Sequence, residues 1–342
     1  MPRTGRLPIT GGCYHVMGRG LERRFIFARD EDKQDFIARL KSGLERTGTE
    51  CLAWTMMSNH YHLLLRVGPC PLGGLMQNLL GGYAANYNRR QHRVGYVFQN
   101  RFKSILCDEE TYLLALVRYI HLDPVRAQGV NDLTALDQYR WTGHAALMGK
   151  REQDWQHTDA VLSRFGRSTL TAARRCYREF IAQGLERRQG VDYRGGGLIR
   201  SYGGWEAVQH ARREDERRIG DERILGGSDF VAQSLEHDTL EIEATTRHRR
   251  HGSDLGVLVQ AVCHHFDLAE DRITDKGRKN TVSAAKSVIC YLASKELGLS
   301  SSPIAKRLNM TQAAVSKSAK RGRALCAEHE MNLDRLPIPA VK

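Results

Sequence analysis

Apolar residues change period several times over the first 130 positions, and each change marks an element. Residues 13–17 alternate as a strand and lead into the basic turn Gly18-Arg-Gly-Leu-Glu-Arg-Arg24. Phe36, Ile37, Leu40 and Leu44 keep helical spacing behind Asp30, a suitable N-cap, and Gly48 stops the run. Residues 51–57 and 60–67 read as two strands joined by a tight turn at Ser58-Asn59. Pro69, Pro71, Gly73 and Gly74 then break the chain before a helix over about 75–90. Residues 97–107 look extended, and Glu109-Glu110 opens a third helix that is expected to stop at Pro124. Strand, helix, two strands, helix, strand, helix predicts an α+β fold: a ferredoxin-like antiparallel sheet with packed helices.

Beyond position 150 the pattern is helical and the surface strongly charged. Residues 1–150 form the expected first domain and 151–250 a charged helical connection interrupted by Gly195-Gly-Gly197 and Gly203-Gly204. The run Arg212-Arg-Glu-Asp-Glu-Arg-Arg218 reads as a solvated face. An all-α C-terminal domain follows over 251–330, with a tail at 331–342. Inside it, residues 302–322 read as a helix-turn-helix: Ala305 is small where two helices cross, and Asn309 suits a left-handed turn. Ile304, Leu308 and Val315 would make its small core. An amphipathic helical hairpin without a DNA role is the alternative.

Composition adds a partner. The 342 residues include 52 Lys+Arg against 39 Asp+Glu, a formal charge of +13. Such an excess favours a polyanion. No apolar run reaches the ~20 residues of a membrane span, and 1–6 lead into no signal-like apolar stretch, so nucleic acid is preferred over a membrane. Eight scattered cysteines without a Cys-x-x-Cys pair argue for reduced thiols and a cytoplasmic, nucleoid-associated protein. Residues 300–325 hold six Lys/Arg and no acid, so Gln312, Ser316, Lys317, Lys320 and Arg321 are candidate duplex contacts, with Arg278 and Lys286 upstream adding charge.

The candidate chemistry lies in the first domain. His60 and His62 are two apart on an expected strand, so both point to one face and could converge on an ion. Two ordinary strand histidines are the plain alternative. On the third helix, Leu113, Leu116, Val117 and Ile120 make the apolar stripe, with Tyr119 and Asp123 on its shoulder at i, i+4. A tyrosine hydroxyl beside a metal can act as a nucleophile on a phosphodiester; Tyr119 could equally be a half-buried helix tyrosine. Tyr112, Tyr83 and Tyr87 compete with it on pattern alone. Asp123 is either a metal ligand or, preceding Pro124, the cap of the next turn. Arg101, Lys103, Arg118 and Arg126 are candidate phosphate contacts, and Trp54, Phe98 and Trp141 could stack on bases or pack in the core.

His60-Tyr61-His62, Phe98-Gln-Asn-Arg-Phe-Lys-Ser104 and Leu116-Val-Arg-Tyr-Ile-His-Leu-Asp-Pro-Val-Arg-Ala127 resemble, in order, the motifs of the single-tyrosine HUH transposases. Within these, residues 8–148 are most similar to the REP-associated tyrosine transposases. The resemblance implies that His60 and His62 bind a divalent ion, Mg²⁺ or Mn²⁺, and that Tyr119 is the nucleophile. It also implies cleavage of single-stranded DNA beside a hairpin, leaving a 5′-phosphotyrosine and a free 3′-OH. The usual third ligand, an amide four residues after the tyrosine, is here Asp123. Residues 253–326 resemble the C-terminal DNA-binding domain of the replication initiator DnaA, which implies duplex DNA as a second partner. A domesticated relative that binds repeat palindromes without cutting is the alternative function. Whether the chain works as a monomer or a homodimer stays open.

Overall fold

The computed structural model describes residues 5–166, 169–186, 193–202, 219–250, 254–275, 281–333 and 335–336. The 212–218 run, Gly203-Gly204 and Arg278 lie outside them. The centre is a five-stranded sheet in the order β2-β3-β1-β4-β5, with β1 at Cys13–Arg19, β2 at Glu50–Met56, β3 at His60–Arg66, β4 at Lys103–Cys107 and β5 at Ile224–Leu225. The first four strands pair antiparallel, as the ferredoxin-like pattern requires, and β5 adds in parallel to β4. Two layers of helices cover the sheet. Helices α1 (Asp30–Thr47) and α2 (Leu72–Arg90) lie on one face over Trp54, Tyr61, Leu63 and Leu65. Helix α3 (Glu109–Arg126) lies on the other face over Cys13, Leu64, Ile105 and Cys107.

Strand alternation explains this division. Tyr61 points into the α1–α2 layer, where its ring centroid is 5.0 Å from that of Phe36. Opposite it on β1 stands Gly18, where a Cβ would come within 2.6 Å of the Tyr61 hydroxyl. His60 and His62 point the other way, toward the α3 layer. A two-residue turn at Ser58-Asn59 fixes this phase: Met57 N–H donates to the His60 carbonyl at 2.9 Å.

Two sequence expectations are corrected here. Helix α3 does not stop at Pro124 but runs through it to Arg126. The missing proline N–H removes one helical bond without ending the helix, because residues 120–122 and 124 are buried in the α3 layer and hold the last turn in place. Residues 97–107 are strand only from Lys103; before it, one bridge pairs Gly20 with Phe98.

The region after position 150 is built onto this sheet. Tyr177 and Ile181, on the helix Leu170–Glu186, share a core with α3. A buried polar chain pins the two together. Arg178 Nε and His144 Nε2 donate to Asp137 at 2.8 Å each. His144 Nδ1 therefore accepts from the Tyr177 hydroxyl at 2.7 Å, and that oxygen accepts from His121 Nδ1 at 2.8 Å. His121, His144 and Tyr177 are fully buried. Burial, then the His144 charge, pushes the His121 pKa well below its usual value, and burial lowers that of His144 against the opposing pull of Asp137.

The C-terminal residues form their own core around Val288, Ile289, Ile304, Leu308, Val315 and Ala319. Helices Ser301–Arg307 and Gln312–Glu328 are joined through Asn309, whose φ of 51° is left-handed. Thr311 caps the second helix, accepting from Ala314 N at 3.1 Å. This helix crosses Thr281–Lys295 so closely that a Cβ on Gly322 would sit 1.9 Å from the Ser287 carbonyl.

Candidate active site and DNA-binding surfaces

The register of β1 and β3 sets Arg19 opposite His60 and Met17 opposite His62, so one sheet face presents His15, Arg19, His60 and His62 together. Asp123, from the last turn of α3, completes the group. His60 Nε2 and Asp123 Oδ2 are 2.9 Å apart. Asp123 is thus within the helix and aimed at His60, so the capping alternative falls. The ligand atoms of His60, His62 and Asp123 all lie within 4.8 Å of one another.

Asn59 Nδ2 donates to the Arg23 carbonyl at 3.1 Å, so Asn59 Oδ1 faces His60 Nδ1 at 2.7 Å and accepts its proton. His60 Nε2 and Asp123 Oδ2 thus face one another, and both can ligate one cation placed between them. Two imidazoles and one carboxylate suit Mn²⁺ or Mg²⁺. The donor set fits a divalent metal.

Tyr119 borders the same group. Its ring centroid is 5.8 Å from that of His62 and 5.9 Å from that of His15, both edge-on. The competing tyrosines have other partners. Tyr112 donates its hydroxyl to the Ser201 carbonyl, and burial pushes its pKa up to about 12. Tyr83 and Tyr87 donate to the carbonyls of Ile26 and Phe25. Burial, followed by His15 and His60, holds the His62 pKa well below normal, which keeps the ring neutral.

Two cavities flank His60. One of about 610 Å³ is lined by Arg19, Arg23, Lys33, Asn59 and Arg194; the other, of about 290 Å³, by Arg19, His62, Gln99, Arg101, Lys103 and Arg194. No carboxylate lines either among the described residues, so the field in both favours a phosphodiester strand. Arg101 and Lys103 line the second of these cavities. Arg126 is exposed, its guanidinium 6.0 Å from the Tyr119 ring. Arg118 lies instead over Phe180, 4.3 Å from its centroid, and lines neither cavity. Trp54 is fully buried and donates to Gln156 Oε1 at 3.0 Å, Trp141 is buried, and Phe98 packs against the core beside Tyr61 and Tyr83. Pattern alone did not single out His15, Arg19, Asn59 or Arg194. His15 and Arg19 share the period-two phase of one strand, the one signal that could have marked them.

On the C-terminal domain, Lys317, Lys320 and Arg321 are exposed and Gln312 half-buried. Ser316 is not available to DNA: it is buried, with its Oγ 3.5 Å from Cys70 Sγ. The helix docks there on the first domain, and the Lys320 stem crosses Gly48 at the end of α1. Lys286 also turns inward, donating to the Asp275 carbonyl at 2.8 Å.

Two stretches of the chain match families of known proteins. Residues 9–123, which end on Asp123, match the family model described as "Transposase IS200 like". Residues 257–321 match the one described as "Bacterial dnaA protein helix-turn-helix". Both resemblances read from the sequence are thus found. No curated protein matches the chain. Among solved structures, one of a REP-associated tyrosine transposase bound to a REP hairpin is similar, at 13% identity and a TM-score of 0.37, over 46% of this chain and 98% of that one. Among the described residues, no helix is long and apolar enough to cross a membrane.

Proposed function

We propose that the chain is a metal-dependent transposase-type nuclease that cuts and rejoins single-stranded DNA beside a hairpin through Tyr119. One observation carries the reading: His60, His62 and Asp123 converge next to the Tyr119 ring, between two cavities free of carboxylates. The strand enters along Arg19, Arg101, Lys103 and Arg194, which hold its phosphates. The Tyr119 oxygen attacks phosphorus and loses its proton; the phosphorus–O3′ bond breaks, and O3′ takes up a proton. The 5′-phosphotyrosine keeps the bond energy for religation by a 3′-OH. A divalent ion held by His60, His62 and Asp123 would neutralise the scissile phosphate and orient it. Incubation of the chain with labelled hairpin oligonucleotides and Mg²⁺ or Mn²⁺ is expected to give a denaturation-resistant adduct. Binding without an adduct would favour the non-catalytic reading.

Asp123 separates ligand from scaffold. Asp123→Ala is expected to weaken Mn²⁺ binding at least about tenfold while the melting temperature of the metal-free protein stays near the parent's. Asp123→Asn keeps one donor oxygen and should retain cleavage. A normal Mn²⁺ titration of the alanine variant would remove Asp123 from the ligand set.

The C-terminal domain is proposed to bind duplex DNA through Gln312, Lys317, Lys320 and Arg321, which fits a nucleoid location in the cytoplasm. If Lys317 touches one phosphate, Lys317→Ala should lower the slope of log affinity against log salt by about 1. An unchanged slope means that Lys317 is no phosphate contact.

A further inference from the structure

We propose that His15 is the positioning residue for the metal ligand His62, so that the segment beginning at Tyr193, outside the family-matched region, completes the metal centre. This rests on the metal reading above. His15 is fully buried on β1. Its Nδ1 lies 2.9 Å from the Tyr193 carbonyl and its Nε2 lies 2.8 Å from His62 Nδ1.

The direction of every proton in this chain follows from its far end. A carbonyl oxygen only accepts, so His15 Nδ1 carries a hydrogen. A second hydrogen, on Nε2, would place a charge on a fully buried ring. Neutral His15 therefore has a bare Nε2 and accepts the hydrogen of His62 Nδ1. That leaves His62 Nε2 bare. His60 Nδ1 is likewise oriented, 2.7 Å from Asn59 Oδ1. The two rings of His15 and His62 are stacked, with centroids 5.0 Å apart and planes at 30°, so His15 restrains the orientation of His62 as well as its tautomer.

Tyr193 is held by the sheet. Gly196 N donates to the Glu222 carbonyl at 3.0 Å and Gly197 N to the Ile224 carbonyl at 3.1 Å. Ile224 belongs to β5, which pairs with Leu106 on β4. A Cβ on Gly196 would come within 2.1 Å of the Ile224 oxygen, so this approach requires glycine. The Tyr193 ring also packs edge-on against Tyr119, with centroids 5.6 Å apart. Strand β5 thereby sets the carbonyl that sets His15, and His15 sets His62.

Three full-length variants test this by Mn²⁺ calorimetry and by ¹⁵N NMR of the imidazoles in the metal-free protein. His15→Leu removes the acceptor and should weaken Mn²⁺ binding by about 10- to 100-fold. His15→Gln supplies an amide oxygen that can accept the same hydrogen bond and should keep most of the affinity. Gly196→Val touches neither ligand, yet by displacing Tyr193 it should weaken Mn²⁺ in the same direction as His15→Leu. In the parent, His62 should carry its proton on Nδ1. Parent-like Mn²⁺ binding by a folded His15→Leu overturns the proposal, as does a His15→Gln protein that loses as much as the leucine variant. Parent-like binding by Gly196→Val removes the role of the segment. A parent chain that takes up no Mn²⁺ overturns the metal reading itself, and the proposal with it.

Discussion

Tyr119→Phe is expected to abolish the covalent protein–DNA adduct while leaving oligonucleotide affinity unchanged. The substitution deletes one oxygen from a ring whose edges rest on His15, His62 and Tyr193, so packing and the surrounding cations stay in place. Loss of a nucleophile without a substitute reduces turnover by several orders of magnitude, of the order of 10⁴ or more. Tyr112→Phe serves as control, since its hydroxyl is bound to the Ser201 carbonyl. Adduct surviving in Tyr119→Phe and lost in Tyr112→Phe would transfer the role.

The second large effect is on stability. Asp137→Ala should destabilise the protein by about 3 kcal/mol in urea denaturation, because it strips the acceptor from buried His144 and from Arg178. Burial opposes ionisation of Asp137, but the hydrogen bonds from His144 and Arg178 outweigh it and hold the pKa below the ordinary carboxylate value. A change under about 1 kcal/mol, the worth of an ordinary hydrogen bond, would mean that the network does not pin the helix Leu170–Glu186. The same network sets a pH dependence. His121 and His144 have folded pKa values below the normal one of about 6.5. The unfolded chain therefore binds more protons than the folded one as pH falls below about 6.5. Stability is full above that pH and declines through the acid range toward the lowered folded values. Thermal melts of the parent should show this decline, and Asp137→Ala should start lower throughout.

What the sequence made legible was local. His60 and His62 shared a face because strand alternation obliges them to, and Tyr119 and Asp123 met through helical spacing. The order of β1 to β4 followed from the alternation of periods. What stayed hidden depended on long-range pairing. Pro124 looked like a helix end because nothing local shows that buried neighbours would carry the helix past it. Strand β5 is two residues long, too short to leave a period. His15 and Tyr193 are brought together only through β5, so no spacing rule could join them. Ser316 had the right place on the second helix of the helix-turn-helix, but the first domain covers it. Arg118 sat beside Tyr119 in sequence and turned to Phe180 in space.

The contact between Ser316 and Cys70, with Lys320 laid across Gly48, has a consequence for DNA geometry. A recognition helix on a free tether would let the cut wander relative to the bound duplex. A helix seated on the first domain cannot. If the chain cuts and binds DNA as proposed, the molecule acts as a ruler: the number of nucleotides between the duplex site and the scissile bond should be a constant of the chain, and inserting a half-turn of helix between the two in a test substrate should silence cutting where inserting a full turn restores it.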